Sequence, residues 1–139
     1  MPRTLSIDYG LKRTGIAVTD KLKIIAQGLT TVKTNELMTF LDNYLATEEV
    51  DTIVVGLPLQ MNCLPSETEP YIQKFIKKFS EKYPAIKICR VDERFTTILS
   101  QKTLLEAGAK KKQRMNKELT DTISATIILQ THLNKTEPK

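Results

Sequence analysis

The chain has 139 residues, 40% of them hydrophobic and 27% charged, which is the size and composition of one globular domain and argues against a disordered or fibrous chain. Its uncharged runs are far shorter than a bilayer span, and "MPRTLSIDYG" lacks the apolar segment of a secretory leader, so neither membrane insertion nor export is expected. A formal charge of +5 and a pI near 9.2 favour a polyanionic partner, while two cysteines outside any C-x-x-C spacing, Cys63 and Cys89, argue against a disulfide framework or a zinc site and for a cytoplasmic protein with free thiols.

In chain order, "TLSIDY" and "TGIAVT" are short β-branched runs separated by Gly10 to Arg13, the pattern of a β-hairpin. "IIAQGLTTV" reads as a third strand, with Gly28 marking a bulge. Thr34 is the expected N-cap of a first helix whose Leu37, Leu41, Tyr44 and Leu45 share one face. "TIVVGLP" lacks alternation, as a strand covered on both faces does. Ser66 and Glu69 have capping-box spacing before a second helix striped by Ile72, Phe75, Ile76 and Phe79, which Pro84 stops. "IKICRV" is a fifth strand ending in Asp92, Glu93 and Arg94. A third helix is expected from Thr96 or Thr97 to Gly108, and a last one from about Lys117, capped by Asn116, to Leu133. Three antiparallel strands followed by alternating helices and strands predict an α/β fold: a mixed sheet with helices on its faces, as a single domain over residues 1–139 with 134–139 a frayed tail.

On this reading Asp8 closes the first strand, Asp92 and Glu93 close the fifth, and Asp121 lies one turn into the last helix. Alone, Asp8 beside Gly10 is most simply a turn former, Asp121 a favourable acid near a helix N-terminus, and Glu93 a salt-bridge partner of Arg94. Should the strand ends adjoin, the carboxylates would repel one another and would be kept ionised by divalent cations. Mg²⁺ or Mn²⁺ suits such an oxygen donor set, as one ion or as two that activate a water and stabilise the leaving oxygen of a phosphodiester. Asp121, Ser124, Ala125 and Ile128 fall on one helical face. An acid on a face otherwise small or apolar is expected to point at the sheet, where a lone carboxylate would be costly.

Four stretches, "IDYGLKRTGIAVTD", "VVGLPLQMN", "DERFTT" and "DTISATIILQTHL", occur in this order and with similar spacing in the YqgF (RuvX) family, and the sequence resembles that family over essentially its whole length. Each stretch is weak alone; the four in order are specific. The resemblance implies an RNase H-like fold with a mixed five-stranded sheet, related to Holliday-junction resolvases. It implies catalytic and metal-holding acids at Asp8, Glu93 and Asp121, with Asp92 adjacent. It further implies a nuclease that matures the 5′ end of precursor 16S ribosomal RNA, the family's older label being Holliday-junction resolvase. One departure is Asn62-Cys63, where many members carry Asp-Gly.

The expected activity is therefore metal-dependent phosphodiester hydrolysis on structured RNA, giving 5′-phosphate products, by a monomer or weak homodimer. Branched DNA is the alternative substrate, cut symmetrically only by a dimer. A non-catalytic RNA-binding ribosome-assembly factor is the alternative of another class. An ATP-binding sugar-kinase or actin fold also places D-x-G after a first strand, but needs two such domains. Lys12 and Arg13 would contact phosphate beside Asp8, or solvate a hairpin tip. Lys110, Lys111, Lys112 and Arg114 form a basic run before the helix of Asp121 and, with Arg94, are the other expected nucleic-acid contacts. Lys74 to Lys78, "KFIKK", adds three cations. Tyr9 is the aromatic best placed to stack on a base, a core role being the other reading, and His132 carries no expected role.

Overall fold

The computed structural model describes residues 2–57, 67–92 and 117–136, and in the last of these the side chains of 121–133. Five strands, β1 (Arg3–Tyr9), β2 (Arg13–Thr19), β3 (Ala26–Lys33), β4 (Val50–Leu57) and β5 (Lys87–Asp92), form one sheet in the order β3-β2-β1-β4-β5. β1 pairs antiparallel with β2, and β2 with β3, while β1–β4 and β4–β5 are parallel. The sheet is the mixed one expected. Ile16 pairs with Thr30 and Ala17 with Gly28, so the bulge lies where Gly28 signalled it.

The helices among the described residues are α1 (Leu37–Thr47), α2 (Glu69–Lys82) and α3 (Lys117–Thr136). Side-chain alternation divides them between the two sheet faces. Leu5 and Ile7 of β1, Ile16 and Val18 of β2 and Ile53 and Val55 of β4 form one core with Leu37, Leu41, Ile72, Phe75 and Phe79 of α1 and α2. On the opposite face Ala17, Val54 and Val91 meet Ala125, Ile128 and Leu129 of α3. Each fully buried aliphatic side chain contributes about 1.5–3 kcal/mol, so both helical layers are held chiefly by these contacts. α3 runs three residues past the expected end at Leu133.

Of the expected capping residues, Thr34 and Glu69 are described and take other roles, while Thr96, Thr97 and Asn116 lie outside the described residues. α1 is preceded by a 3-10 turn, Thr34–Glu36, without a side-chain cap. The Thr34 hydroxyl instead donates to the Gly10 carbonyl at 2.6 Å and lies 2.9 Å from the Thr14 hydroxyl. Ser66 lies outside the described residues. Its expected partner Glu69 opens α2 and accepts hydrogen bonds from Arg90 of β5 at 2.7 and 3.1 Å and from Gln73 at 2.6 Å. Arg90 also donates to the carbonyls of Val55 and Gly56, so one guanidinium braces the end of β4 and the start of α2.

Arg90 hydrogen bonding holds the Glu69 carboxyl below the ordinary glutamate range, against an opposing effect of burial. A depressed carboxylate pKa adds stability above the unfolded value, and that stability is lost as pH falls through the folded one. Glu69→Gln is accordingly expected to lower unfolding free energy by about 1–3 kcal/mol at neutral pH. In urea denaturation the gap to wild type should narrow below about pH 4.3; a gap constant with pH would show that the charge is not what matters.

Candidate active site

The site is assembled at the carboxyl ends of the parallel strands, the usual ligand edge of an α/β sheet. Ser6 and Asp8 alternate onto the α3 face of β1, and the buried Ser6 hydroxyl donates to the Ala125 carbonyl at 2.6 Å. Asp8 stands directly opposite Gly15 of β2, and opposed residues of paired strands project from the same face. A Cβ built on Gly15 would lie 2.1 Å from the Asp121 carbonyl oxygen. Only hydrogen at this position lets the α3 backbone come so close. Gly15 is therefore the floor on which the backbones of Asp8 and Asp121 converge from two sides. At Gly28 a Cβ would meet the Thr122 side chain at 2.5 Å, and the Thr31 and Thr122 hydroxyls are 2.7 Å apart, so the approach extends along α3.

Asp8, Asp92 and Asp121 are each half-buried. Arg13, at the start of β2, places Nε 3.2 Å from Asp121 Oδ2. Both partners are about one-third exposed, at 34% and 27%, and such a pair is worth under about 1 kcal/mol to stability. Its geometry matters more, since it sets a cation beside the Asp121 carboxylate. The loop before it is fixed from below: besides the Thr34 hydroxyl bond to Gly10, the Thr34 N–H donates to the Lys12 carbonyl at 3.0 Å.

On β5, Cys89 and Val91 belong to the α3 face, whereas Ile88 packs in the α1/α2 core and Arg90 binds Glu69 of α2. By alternation Asp92 shares the register of Arg90, away from Asp8 and Asp121. Ile7 is level with Val55, and Val55 with Arg90, so β1 and β5 run in step on either side of β4, about 10 Å apart at two strand spacings. Glu93, Arg94, Lys110, Lys111, Lys112, Arg114 and the Asn62-Cys63 departure lie outside the described residues, as does the expected helix from Thr96 or Thr97 to Gly108. Among the described residues no three acids, histidines or cysteines form a metal-holding group. Sequence reading overlooked Gly15; a glycine inside a strand opposite an acid is the signal that would have found it.

A family model described as RuvX, Holliday junction resolvase, matches residues 2–135. The chain belongs to the RuvX family. It is 54% identical over 134 residues to a Flavobacterium johnsoniae protein named "Putative pre-16S rRNA nuclease", covering 96% of this chain and 97% of that protein. A Bacteroides thetaiotaomicron protein of the same name is 54% identical over 133 residues, covering 96% of each. Among solved structures, T. thermophilus RuvC in complex with Holliday junction substrate superposes with a TM-score of 0.58 at 12% identity, over 100% of both chains. That likeness establishes an RNase H-like fold for the RuvX chain. No helix among the described residues is long and apolar enough to cross a membrane.

Proposed function

We propose that this chain is a metal-dependent nuclease that hydrolyses phosphodiesters of precursor 16S ribosomal RNA, with Asp8, Glu93 and Asp121 as its acids. The observation that carries the proposal is the convergence of Asp8 and Asp121 over Gly15. The names borne by relatives more than half identical over nearly the whole chain support the substrate. Asp92 shares the strand register of Arg90, which faces α2; this weighs against Asp92 as the third acid, and the family pattern favours the glutamate.

The donor set fits a hard divalent cation: the backbones of two acids approach each other over Gly15, and carboxylates are the hard oxygen donors such an ion takes. Asp8, Asp121 and Glu93 would hold Mg²⁺ or Mn²⁺, which supplies a water acidic enough to attack phosphorus near neutral pH and charge stabilisation at the leaving oxygen. Arg13 holds the Asp121 carboxylate in place and presents its remaining N–H groups to a phosphate. Lys12 lies on the same loop, and the Thr34 bonds keep that loop from needing to order when substrate arrives.

The deciding experiment incubates the protein with precursor 16S ribosomal RNA and with a four-way DNA junction, each with Mn²⁺ or with EDTA. Cleavage of the RNA with 5′-phosphate ends, abolished by EDTA, is expected. Junction cleavage alone would assign the site to branched DNA, and tight EDTA-insensitive binding without products would make the protein an assembly factor. Arg13→Ala should also make the salt dependence of RNA binding in EDTA shallower by about 0.7–0.9 in log–log slope, the share of one phosphate contact. An unchanged slope would leave Arg13 only its ion pair with Asp121.

A further inference from the structure

Two clefts flank the 3-10 turn between β3 and α1. The larger, about 700 Å³, is lined by Leu11, Lys12 and Arg13 from the first hairpin loop and by Lys33, Asn35 and Glu36 beyond it. The smaller, about 340 Å³, lies on the α1/α2 side of the sheet and includes Tyr9, Asn35, Tyr71, Lys74, Phe75 and Lys78. Asn35 lines both. A path therefore leads from the Arg13–Asp121 pair, around the end of the sheet, to the exposed flank of α2. Among the described residues its lining cations are Lys12, Arg13, Lys33, Lys74 and Lys78, against the acid Glu36.

The far end of this path has the chemistry of a base-stacking surface. Tyr71 is 52% exposed although its ring is large and apolar, and the Lys74 ammonium sits 6.0 Å from its centroid. Behind it Tyr9 rests on Phe75 with centroids 5.8 Å apart. Tyr9 and Tyr71 line the same cleft. An exposed aromatic ring beside cations, continuous with more cations along a groove, is how proteins hold single strands without reading sequence.

We propose that the two clefts form one track for a single-stranded nucleic-acid segment flanking the acid site, with Tyr71 stacking on a base and Lys33, Lys74 and Lys78 holding its phosphates. This rests on the nuclease reading for the identity of the strand, but it is tested without cleavage. Binding of a labelled single-stranded oligonucleotide of about 12 nucleotides, within the span such grooves hold, is followed by fluorescence anisotropy in EDTA, with RNA and DNA of one sequence in separate arms.

Tyr71→Ala should weaken both by about tenfold, the scale of one lost base stack, while Tyr71→Phe should bind as wild type does. Lys74→Ala/Lys78→Ala should flatten the salt dependence by about 1.4 in log–log slope, from roughly 0.7 per phosphate contact on a single strand. Lys77→Ala, exposed on the same helix but outside both clefts, removes the same kind of charge and should leave the slope unchanged. Thermal melting checks that each variant is folded. The track is overturned by a Tyr71→Ala protein binding within about twofold of wild type, by Lys77→Ala matching Lys74→Ala, or by a preference for duplex over single strand. It is equally overturned by a wild type that binds neither oligonucleotide at low salt, which would leave the cleft to a protein partner. A protein that binds through the track but cuts nothing would instead overturn the nuclease reading alone.

Discussion

Asp8→Asn and Asp121→Asn should each lower the rate of ribosomal RNA cleavage by on the order of 10³-fold, equivalent to about 4 kcal/mol of lost transition-state stabilisation. The substitution keeps the shape of the side chain and removes its charge, so the loss isolates electrostatics from packing. Both positions are half-buried at the rim of the sheet, and neither belongs to the two apolar cores, so the variants should fold. Oligonucleotide binding in EDTA should persist or tighten, because a negative charge beside the phosphate is gone. Asp92→Asn is the built-in comparison: it lies in the register that faces α2, and its rate should fall far less. Equal cleavage by wild type and Asp8→Asn would end the catalytic reading, and a collapse with Asp92→Asn alone would move the third acid from Glu93 to Asp92.

Gly15→Ala should cost more stability than Gly28→Ala, where the added Cβ would meet a side chain and not backbone. At Gly15 the added Cβ would stand 2.1 Å from a backbone carbonyl of α3, and backbone, unlike the end of a long side chain, cannot rotate aside. Overpacking of this sort costs about 1–3 kcal/mol and sometimes more, which for a chain of this size corresponds to a fall in Tm of roughly 10 °C. Relief requires α3 to lift away from β2, which also carries Asp121 away from Asp8. Stability and cleavage should therefore fall together, while the α1/α2 core on the other face stays intact. An alanine variant that melts as wild type does would mean that the helix does not rest on this strand.

Much of the architecture was legible because it rests on patterns that local physics enforces. The unbroken apolar run of β4 marked a strand covered twice, and Leu37, Leu41, Ile72 and Phe79 were readable as core by helical spacing. The face of α3 was readable too, since Ala125 and Ile128 are buried where the spacing put them. The capping roles of Thr34 and Glu69 were misjudged because both have stronger uses at long range: Thr34 ties down the loop of Lys12, and Glu69 meets a guanidinium from β5. Sequence spacing shows which partners are near along the chain and not which are near in space. For the site, residue types and order singled out Asp8 and Asp121, but their convergence depends on the absence of a side chain at Gly15, which no list of reactive groups contains. The register of Asp92, away from Asp8, is likewise a matter of strand parity, which becomes readable once Arg90 is seen to face α2. Lys33, Asn35 and Tyr71 were overlooked because they come together only around the 3-10 turn.

The hydrogen bond from Ser6 to Ala125 spans 119 residues, and the Arg13–Asp121 contact spans 108. Contacts of such high order close late in folding, after the hairpin and the α1/α2 layer can already have formed from nearer parts of the chain. Asp8 would then be displayed on a nearly complete sheet before Asp121 reaches it. In refolding experiments, secondary structure should return before cutting activity does, and the protein would pass through a stage that is folded enough to hold RNA yet unable to cleave it.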